Sequence, residues 1–362
     1  MRIAVDTNGL YTGQAGTARH IRGFLRGLDS LSPSLDYFPI AWEVENLKFR
    51  RVTRAVKTLY RELIWAKAVA PRRLLRESAD VYHATGSFFV SVPRSVRCVV
   101  TLHDLAVLRH PERFRPWLRW SEAKRMQRLA TVDRVICISR FTADEAMNLL
   151  GLPSSKLEVV YNGGDFQPEE GPVPEQQPYF AVPPEFFLFV GSLEPGKNLA
   201  LLNETYRLAG AEQQALPPLL IVGARWAGVG TEGAPPIGWQ YLGRQPDGVL
   251  VHLYRRALAF VFPSKYEGFG LPVVEAMALG CPVICSPVAS LPEVGGKAVL
   301  WSELTARGYL SAMREMVANP HLRAELICAG REQAKKFTWQ SCARSVVEIY
   351  RQVLSLGSTP VS

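Results

Sequence analysis

Two carboxylates stand eight residues apart, Glu267 and Glu275, with Gly268, Phe269, Gly270, Leu271 and Pro272 following the first. Gly268 and Gly270 let a ligand approach the backbone closely. Pro272 suits the first turn of a helix. The free amides from Gly270 to Val273 then form an anion site, best matched to a phosphate. A carboxylate on either side of a bound diphosphate can accept hydrogen bonds from sugar hydroxyls. Glu275 taken alone reads equally well as an acid that favours the helix dipole. Lys197 ends the glycine turn Gly191-Ser192-Leu193-Glu194-Pro195-Gly196-Lys197-Asn198, just before a Leu-rich segment. It fits a diphosphate clamp, or a solvated loop lysine. His103 follows the apolar run Arg97 to Leu102, at a strand's C-terminal end, where open α/β sheets place their ligands.

These groups need elements to hold them. Ala259 to Phe262 is a short apolar run, a strand buried on both faces. Val273, Val274, Met277 and Ala278 give the next segment one apolar helical side, and Gly280 ends it. Pro282 to Cys285 is a second buried strand. Together they make one strand–turn–helix–strand unit of a parallel sheet. At the start of the chain, Met1 to Asp6 is a strand and Thr7 to Gly16 a polar loop. Thr17 opens a helix striped with Ile21, Phe24, Leu25 and Leu28. This loop suits phosphate approach or a plain strand–helix turn, and it lacks the Gly-x-Gly-x-x-Gly dinucleotide spacing. Further strands are expected at Asp80 to His83, Val132 to Ser139, Leu157 to Tyr161, Phe186 to Val190, Leu219 to Gly223 and Trp239 to Gly243. Residues 167–184 hold six prolines and no periodicity, which reads as a linker. The expected division is therefore 1–166, the linker 167–184, a second domain 185–338, and a returning helix with tail, 339–362.

The 362 residues are 48% hydrophobic and 21% charged, enough for two cores. No apolar run reaches the roughly 18 residues of a membrane span. The opening MRIAVDTNG reads as strand and turn, not as a signal peptide. Six scattered cysteines without zinc spacing suit a reducing, cytoplasmic compartment. The net charge of +9 resides in the first half of the chain. It is densest from Lys48 to Arg76, where Arg50, Arg51, Arg54 and Lys57 crowd and Glu62 alone opposes. Phe49, Val52, Val56, Leu59, Tyr60, Leu63 and Trp65 share roughly one helical side there. Such a helix lies on an anionic membrane surface, or packs on its own domain with a solvated charged face. No nucleic-acid motif accompanies the charge, so nucleic acid is not an expected partner. No Asp-x-Asp occurs, so no metal clamp is expected.

EGFGLPVVEA resembles the Glu-x7-Glu signature of retaining glycosyltransferases of the GT-B class, in particular glycosyltransferase family 4. GCPVICSPVASLPEVGG continues the pattern. THDL around His103, VICISRFTADEA, the Lys197 turn and FTW at 337–339 are similar to further family motifs. The resemblance implies an α/β fold of two doubly wound Rossmann-like domains facing across a cleft. The first binds an acceptor and the second a nucleotide-sugar. It implies that His103, Lys197 and Glu267 serve catalysis, with His103 and Glu267 on the transferred sugar and Lys197 on the leaving diphosphate. Glu275 is implied to hold the ribose, and Arg244 and Gln245 to line the base. Gly16, Thr17, Ser192 and the backbone of Gly268, Phe269, Gly270 and Leu271 are implied to line the donor phosphates. The chain departs from the family where Ser192 and Gly196 replace arginines, and Arg225 is the cation that can compensate. The implied reaction retains anomeric configuration and needs neither metal nor cofactor. GDP-mannose is the favoured donor, with UDP-sugars next. The expected acceptor is a glycan or lipid-linked, in cell-surface polysaccharide synthesis at the cytoplasmic face of the membrane. An epimerase lacks locatable acid/base carboxylates here, and a phosphorylase needs a much longer chain. A non-catalytic nucleotide-sugar-binding partner protein is the alternative that would explain Ser192 and Gly196.

Overall fold

The computed structural model describes residues 1–11, 15–31, 35–42, 59–165, 180–225 and 238–355. Contacts divide the chain into two compact units: Met1–Gly163 with Trp339–Ser362, and Gly164–Thr338. In the first unit the strands are β1 (Arg2–Asp6), β2 (Asp36–Ile40), β3 (Val81–Ala84), β4 (Arg97–Leu102), β5 (Arg134–Cys137) and β6 (Leu157–Val159). All pair in parallel, in the order β2-β1-β3-β4-β5-β6. In the second unit they are β7 (Phe187–Val190), β8 (Leu219–Val222), β9 (Trp239–Gly243), β10 (Ala259–Phe262), β11 (Val283–Cys285) and β12 (Leu300–Trp301). Their order is β12-β11-β10-β7-β8-β9, again all parallel. Both are doubly wound orders, which reverse direction at one place. That place lies between β1 and β3 in the first sheet and between β7 and β10 in the second.

Near-continuous apolar strands explain why both sheets are covered on both faces. β10 is wholly buried, as are β8 and β11. The edge strand β2 contains Pro39, which lacks a donor for a central ladder and is tolerated at an edge. That proline and the partial exposure of its residues hid the strand from periodicity.

The main helices are α1 (Ala15–Leu31), α2 (Pro116–Gln127), α3 (Arg140–Leu150), α4 (Leu199–Ala211), α5 (Asp247–Arg256), α6 (Leu271–Ala278), α7 (Ala306–Ala318), α8 (Pro320–Ala334) and α9 (Trp339–Ser355). Ile21, Phe24 and Leu28 of α1 are fully buried, so the expected stripe is the core face. α9 packs on α1 at close range. A Cβ at Gly23 would lie 2.0 Å from the Trp339 ring, and one at Gly27 2.3 Å from the Trp339 carbonyl oxygen.

The basic segment requires a correction. Arg61–Val69 is a π-helix, continued by the α-helical turn Ala70–Arg76. Trp65 is buried, whereas Leu59 and Leu63 are half or more exposed. The wider π turn breaks the 3.6-residue phase on which the single apolar side rested. Arg50, Arg51, Arg54 and Lys57 lie outside the described residues, as does most of the proline-rich stretch.

Candidate active site

In the second unit the site forms at the reversal point of the sheet. β7 runs into Gly191, and the Pro195–Lys197 turn follows. The Glu194 side chain caps that turn by accepting the Gly196 amide at 3.0 Å. Asn198 then takes a left-handed conformation, φ 58°, before α4 begins. β10, the neighbour of β7, runs into the Glu267–Gly270 turn. The Lys265 amide donates to the Gly196 carbonyl at 2.9 Å and ties the two turns together. Adjacent strands thus bring Lys197 and Glu267 into contact. Lys197 Nζ lies 2.6 Å from Glu267 Oε1, with side chains only 16% and 9% exposed. The ammonium also stands 5.2 Å from the Phe262 ring centroid.

The turn itself is tightly held. Ser290 Oγ donates to the Glu267 carbonyl at 2.9 Å. Gly270 caps α6 with φ 96°, and a Cβ there would lie 2.6 Å from Leu291 Cδ2. Glycine is therefore required twice over at this position. Phe269 is buried edge-to-face on Phe337, ring centroids 5.6 Å apart. Its ring is committed to packing, which leaves its backbone for a ligand. Leu271 is the first residue of α6, and Glu275 lies one turn further on, 4% exposed.

The flanking expectations fall unevenly. Leu193 bridges Arg225, and the Leu193 amide donates to the Ala224 carbonyl at 3.0 Å. Arg225 therefore lies beside the Ser192 loop, its guanidinium 5.8 Å from the Tyr241 ring centroid. A Cβ at Gly223 would lie 1.7 Å from the Gly191 carbonyl oxygen, so this close approach of backbones needs glycine. Gln245 turns its amide back onto the Leu242 carbonyl at 2.5 Å, and Arg244 is exposed.

In the first unit, His103 follows β4. Its Nε2 donates to the Thr85 carbonyl at 2.8 Å, and the Thr85 hydroxyl donates to the Asp6 carbonyl at 2.7 Å. The ends of β1, β3 and β4 are thereby stitched at their reversal point. Burial pushes the His103 pKa down, so its imidazole is neutral at pH 7. With Nε2 donating, Nδ1 carries the lone pair. Gly16 and Thr17 lie in the first turn of α1; Gly16 is exposed, with nothing near a Cβ there.

Three partners of this cluster, His20, His83 and Asp6, escaped sequence reasoning. His20 stands edge-to-face on His103, ring centroids 4.7 Å apart. Its Nδ1 lies 2.9 Å from Asn162 Oδ1, while its buried Nε2 has no hydrogen-bond partner among the described residues. His83 is held between the Thr101 hydroxyl at 2.8 Å and the Tyr350 hydroxyl at 2.6 Å. Burial lowers its pKa to about 3. Asp6 accepts from Tyr82, at 2.7 Å, and from the amide and side chain of Asn8. Its burial outweighs those bonds and raises its pKa to about 6. His20 sits one position before Ile21, where a stripe reading takes it for core. The signal was its polar ring at an apolar position. Among the described residues, no group of three or more His, Cys, Asp or Glu could hold a metal ion.

Comparison with known proteins bears on the same stretches. The family model "Glycosyltransferase Family 4" matches residues 16–167, and "Glycosyl transferases group 1" matches residues 175–333. The chain is similar to O-antigen chain mannosyltransferase B of Escherichia coli, 33% identical over 300 residues, which cover 78% of this chain and 77% of that one. It is also similar to the serotype-specific mannosyltransferase WbdA of Escherichia coli, 27% identical over 287 residues, 74% of this chain but only 35% of that longer protein. Among solved structures, sucrose-phosphate synthase of Thermosynechococcus elongatus superposes with a TM-score of 0.72 at 18% identity, covering 98% of this chain and 100% of that one. That likeness shows the GT-B fold. With His103, Lys197 and Glu267 inside the matched stretches, the chain belongs to glycosyltransferase family 4 and is a glycosyltransferase.

Proposed function

We propose that this glycosyltransferase is a retaining mannosyltransferase. It moves mannose from GDP-mannose to a glycan or lipid-linked acceptor in cell-surface polysaccharide synthesis, at the cytoplasmic face of the membrane. The observation that carries the donor-site reading is the Lys197–Glu267 pair at the reversal point of the second sheet. The choice of mannose is supported by the 33% identity to a protein described as an O-antigen chain mannosyltransferase.

In this reading the ion pair is the resting arrangement of two groups that separate on donor binding. Lys197 turns to the diphosphate, and Glu267 accepts hydroxyls of the sugar. Amides of Gly268, Phe269, Gly270 and Leu271 complete the anion site, and Arg225 supplies the positive charge that Ser192 and Gly196 do not. Glu275 holds the ribose, and Arg244 and Gln245 stand at the base. His103, neutral and fixed by Thr85, offers Nδ1 to a sugar hydroxyl; His20 keeps its ring in place. As the bond from the anomeric carbon to the diphosphate oxygen breaks, the acceptor oxygen bonds to that carbon on the same face. The acceptor proton passes to the departing phosphate oxygen. No metal and no cofactor enters this scheme.

The test is a panel of nucleotide-sugars with mannose-terminated acceptors, in which released nucleotide diphosphate is measured and the anomeric configuration of the product is read by NMR. GDP release with an α-linked product is expected. A UDP-sugar as the only productive donor would overturn the donor assignment, and an inverted product would overturn the mechanism. Donor binding without any release would make the chain a nucleotide-sugar-binding partner.

A further inference from the structure

The large apolar side chains exposed among the described residues concentrate on two helices of the first unit. Leu59, Tyr60, Leu63 and Ile64 are exposed on and just before the π-helix Arg61–Val69. Trp117 and Trp120 of α2 are 64% and 63% exposed. The two helices are neighbours, since Arg125 of α2 lies 2.6 Å from Glu62 of the π-helix. Arg125 and Arg61 both stand over the Phe88 ring, at 5.3 and 4.6 Å. Glu122 of α2 is also turned inward, accepting from Ser87 at 2.7 Å and pairing with Arg125.

Both carboxylates of this helix pair are thus spent on internal partners. What remains outward is cationic and aromatic: Arg115 at the start of α2, then Arg119 and Lys124, and Lys67 on the π-helix. Lys124 Nζ sits 3.9 Å from the Trp120 ring centroid. A helix that is merely solvated gains nothing from two tryptophans at i and i+3 facing water. Tryptophan and tyrosine fit the boundary between headgroups and acyl chains, and lysine and arginine pair with lipid phosphates there. Charge complementarity therefore selects an anionic bilayer.

We propose that α2 and the adjoining π-helix form a docking face for anionic phospholipid, with Trp117 and Trp120 inserted and Arg115, Arg119, Lys124 and Lys67 on the phosphates. The proposal deepens the reading of a membrane-borne acceptor, on which it rests. It assigns the contact to α2 and the π-helix; the Arg50–Lys57 cluster lies outside the described residues.

The experiment is flotation of the full chain with phosphatidylglycerol–phosphatidylcholine vesicles and with phosphatidylcholine alone, alongside GDP-mannose turnover on a soluble mannoside. Binding to the anionic vesicles, weakened by salt, is expected. The Trp117→Ser/Trp120→Ser variant should lose at least about tenfold in partitioning. Its melting temperature and its turnover in solution should be unchanged, because both residues are nearly two-thirds exposed and lie outside the core. Normal flotation of that variant would overturn the proposal, as would absent binding of the parent chain at low salt. If the parent were a dimer by light scattering, bound no vesicles, and became monomeric on the double substitution, the face would be a self-association surface and the proposal would fall. Intact vesicle binding by a parent chain that turns over no donor would leave the docking face standing and remove the mannosyltransferase reading.

Discussion

Replacing Lys197 with methionine keeps most of the side-chain volume and removes the charge that Glu267 faces at 2.6 Å. The carboxylate would stay behind, 9% exposed, in a pocket whose backbone is held by Ser290 and by the Lys265–Gly196 bond. Breaking a buried pair from one side costs about 3–5 kcal/mol, and the residual exposure of Lys197 points to about 3. For a unit of this size each kcal/mol lowers the melting temperature by about 2–4 °C, so a fall of about 6–12 °C is expected in differential scanning fluorimetry. Glu267→Gln in the same background removes the stranded charge and should restore much of that loss. A coupling energy of about 2 kcal/mol or more should therefore appear in the double-mutant cycle. Activity should follow another pattern. The single and double variants should both lose about 10²–10³ in kcat, since neither can neutralise the leaving diphosphate. Melting within about 1 °C of the parent, or strict additivity, would refute the idea that this pair organises the turn. Recovery of kcat in the double variant would refute the role of Lys197 at the phosphate.

Glu275→Ala should weaken donor binding by about 1–3 kcal/mol, because two ribose hydroxyls would lose their acceptor; unchanged affinity by calorimetry would remove the assignment. Full activity is expected in excess chelator, and a loss restored by manganese or magnesium would contradict the lysine clamp. Acidification should destabilise the first unit. His83 stays neutral in the fold down to about pH 3, whereas the unfolded chain takes up that proton near 6.5, so its contribution is complete above 6.5 and declines as pH falls. His20 and His103 act in the same direction. Asp6 acts oppositely: its contribution is complete below its ordinary value of 3.8 and is lost as pH rises through about 6. Three groups outweigh one, so the melting temperature should drop between about pH 7 and pH 5, and His83→Gln should flatten that slope.

The turn from Glu267 to Gly270 was legible because its residues answer local demands: two glycines, one at positive φ, and a proline in the first helical turn. The buried strands were legible for a similar reason, since runs such as Ala259–Phe262 have no polar face to mislead. The partnership of Lys197 with Glu267 was not. It depends on β7 and β10 being neighbours, a fact of strand order that no local pattern states. His20 was hidden by its place on an apolar stripe, and its link to Asn162 spans most of the first unit. Leu63 and Trp65 do not share one environment, exposed and buried respectively, because the helix there has a π phase. The exposure of the α2 tryptophans has no local sign in the sequence, since aromatic residues in a short helix ordinarily mean core.

The division of the chain also orders its synthesis. Residues 164–338 are contiguous, so the second unit has its whole sequence as soon as Thr338 has left the ribosome. The first unit begins earlier and finishes later. Gly23 and Gly27 of α1 lie against Trp339, which is made after the entire second unit. At about 5–20 residues per second, that face of α1 waits roughly 15–60 seconds for its cover. The unit translated first is therefore the one that stays open to chaperones and proteases longest. Shortening the chain by its last helix would leave the second unit intact in sequence and the first unit permanently unfinished.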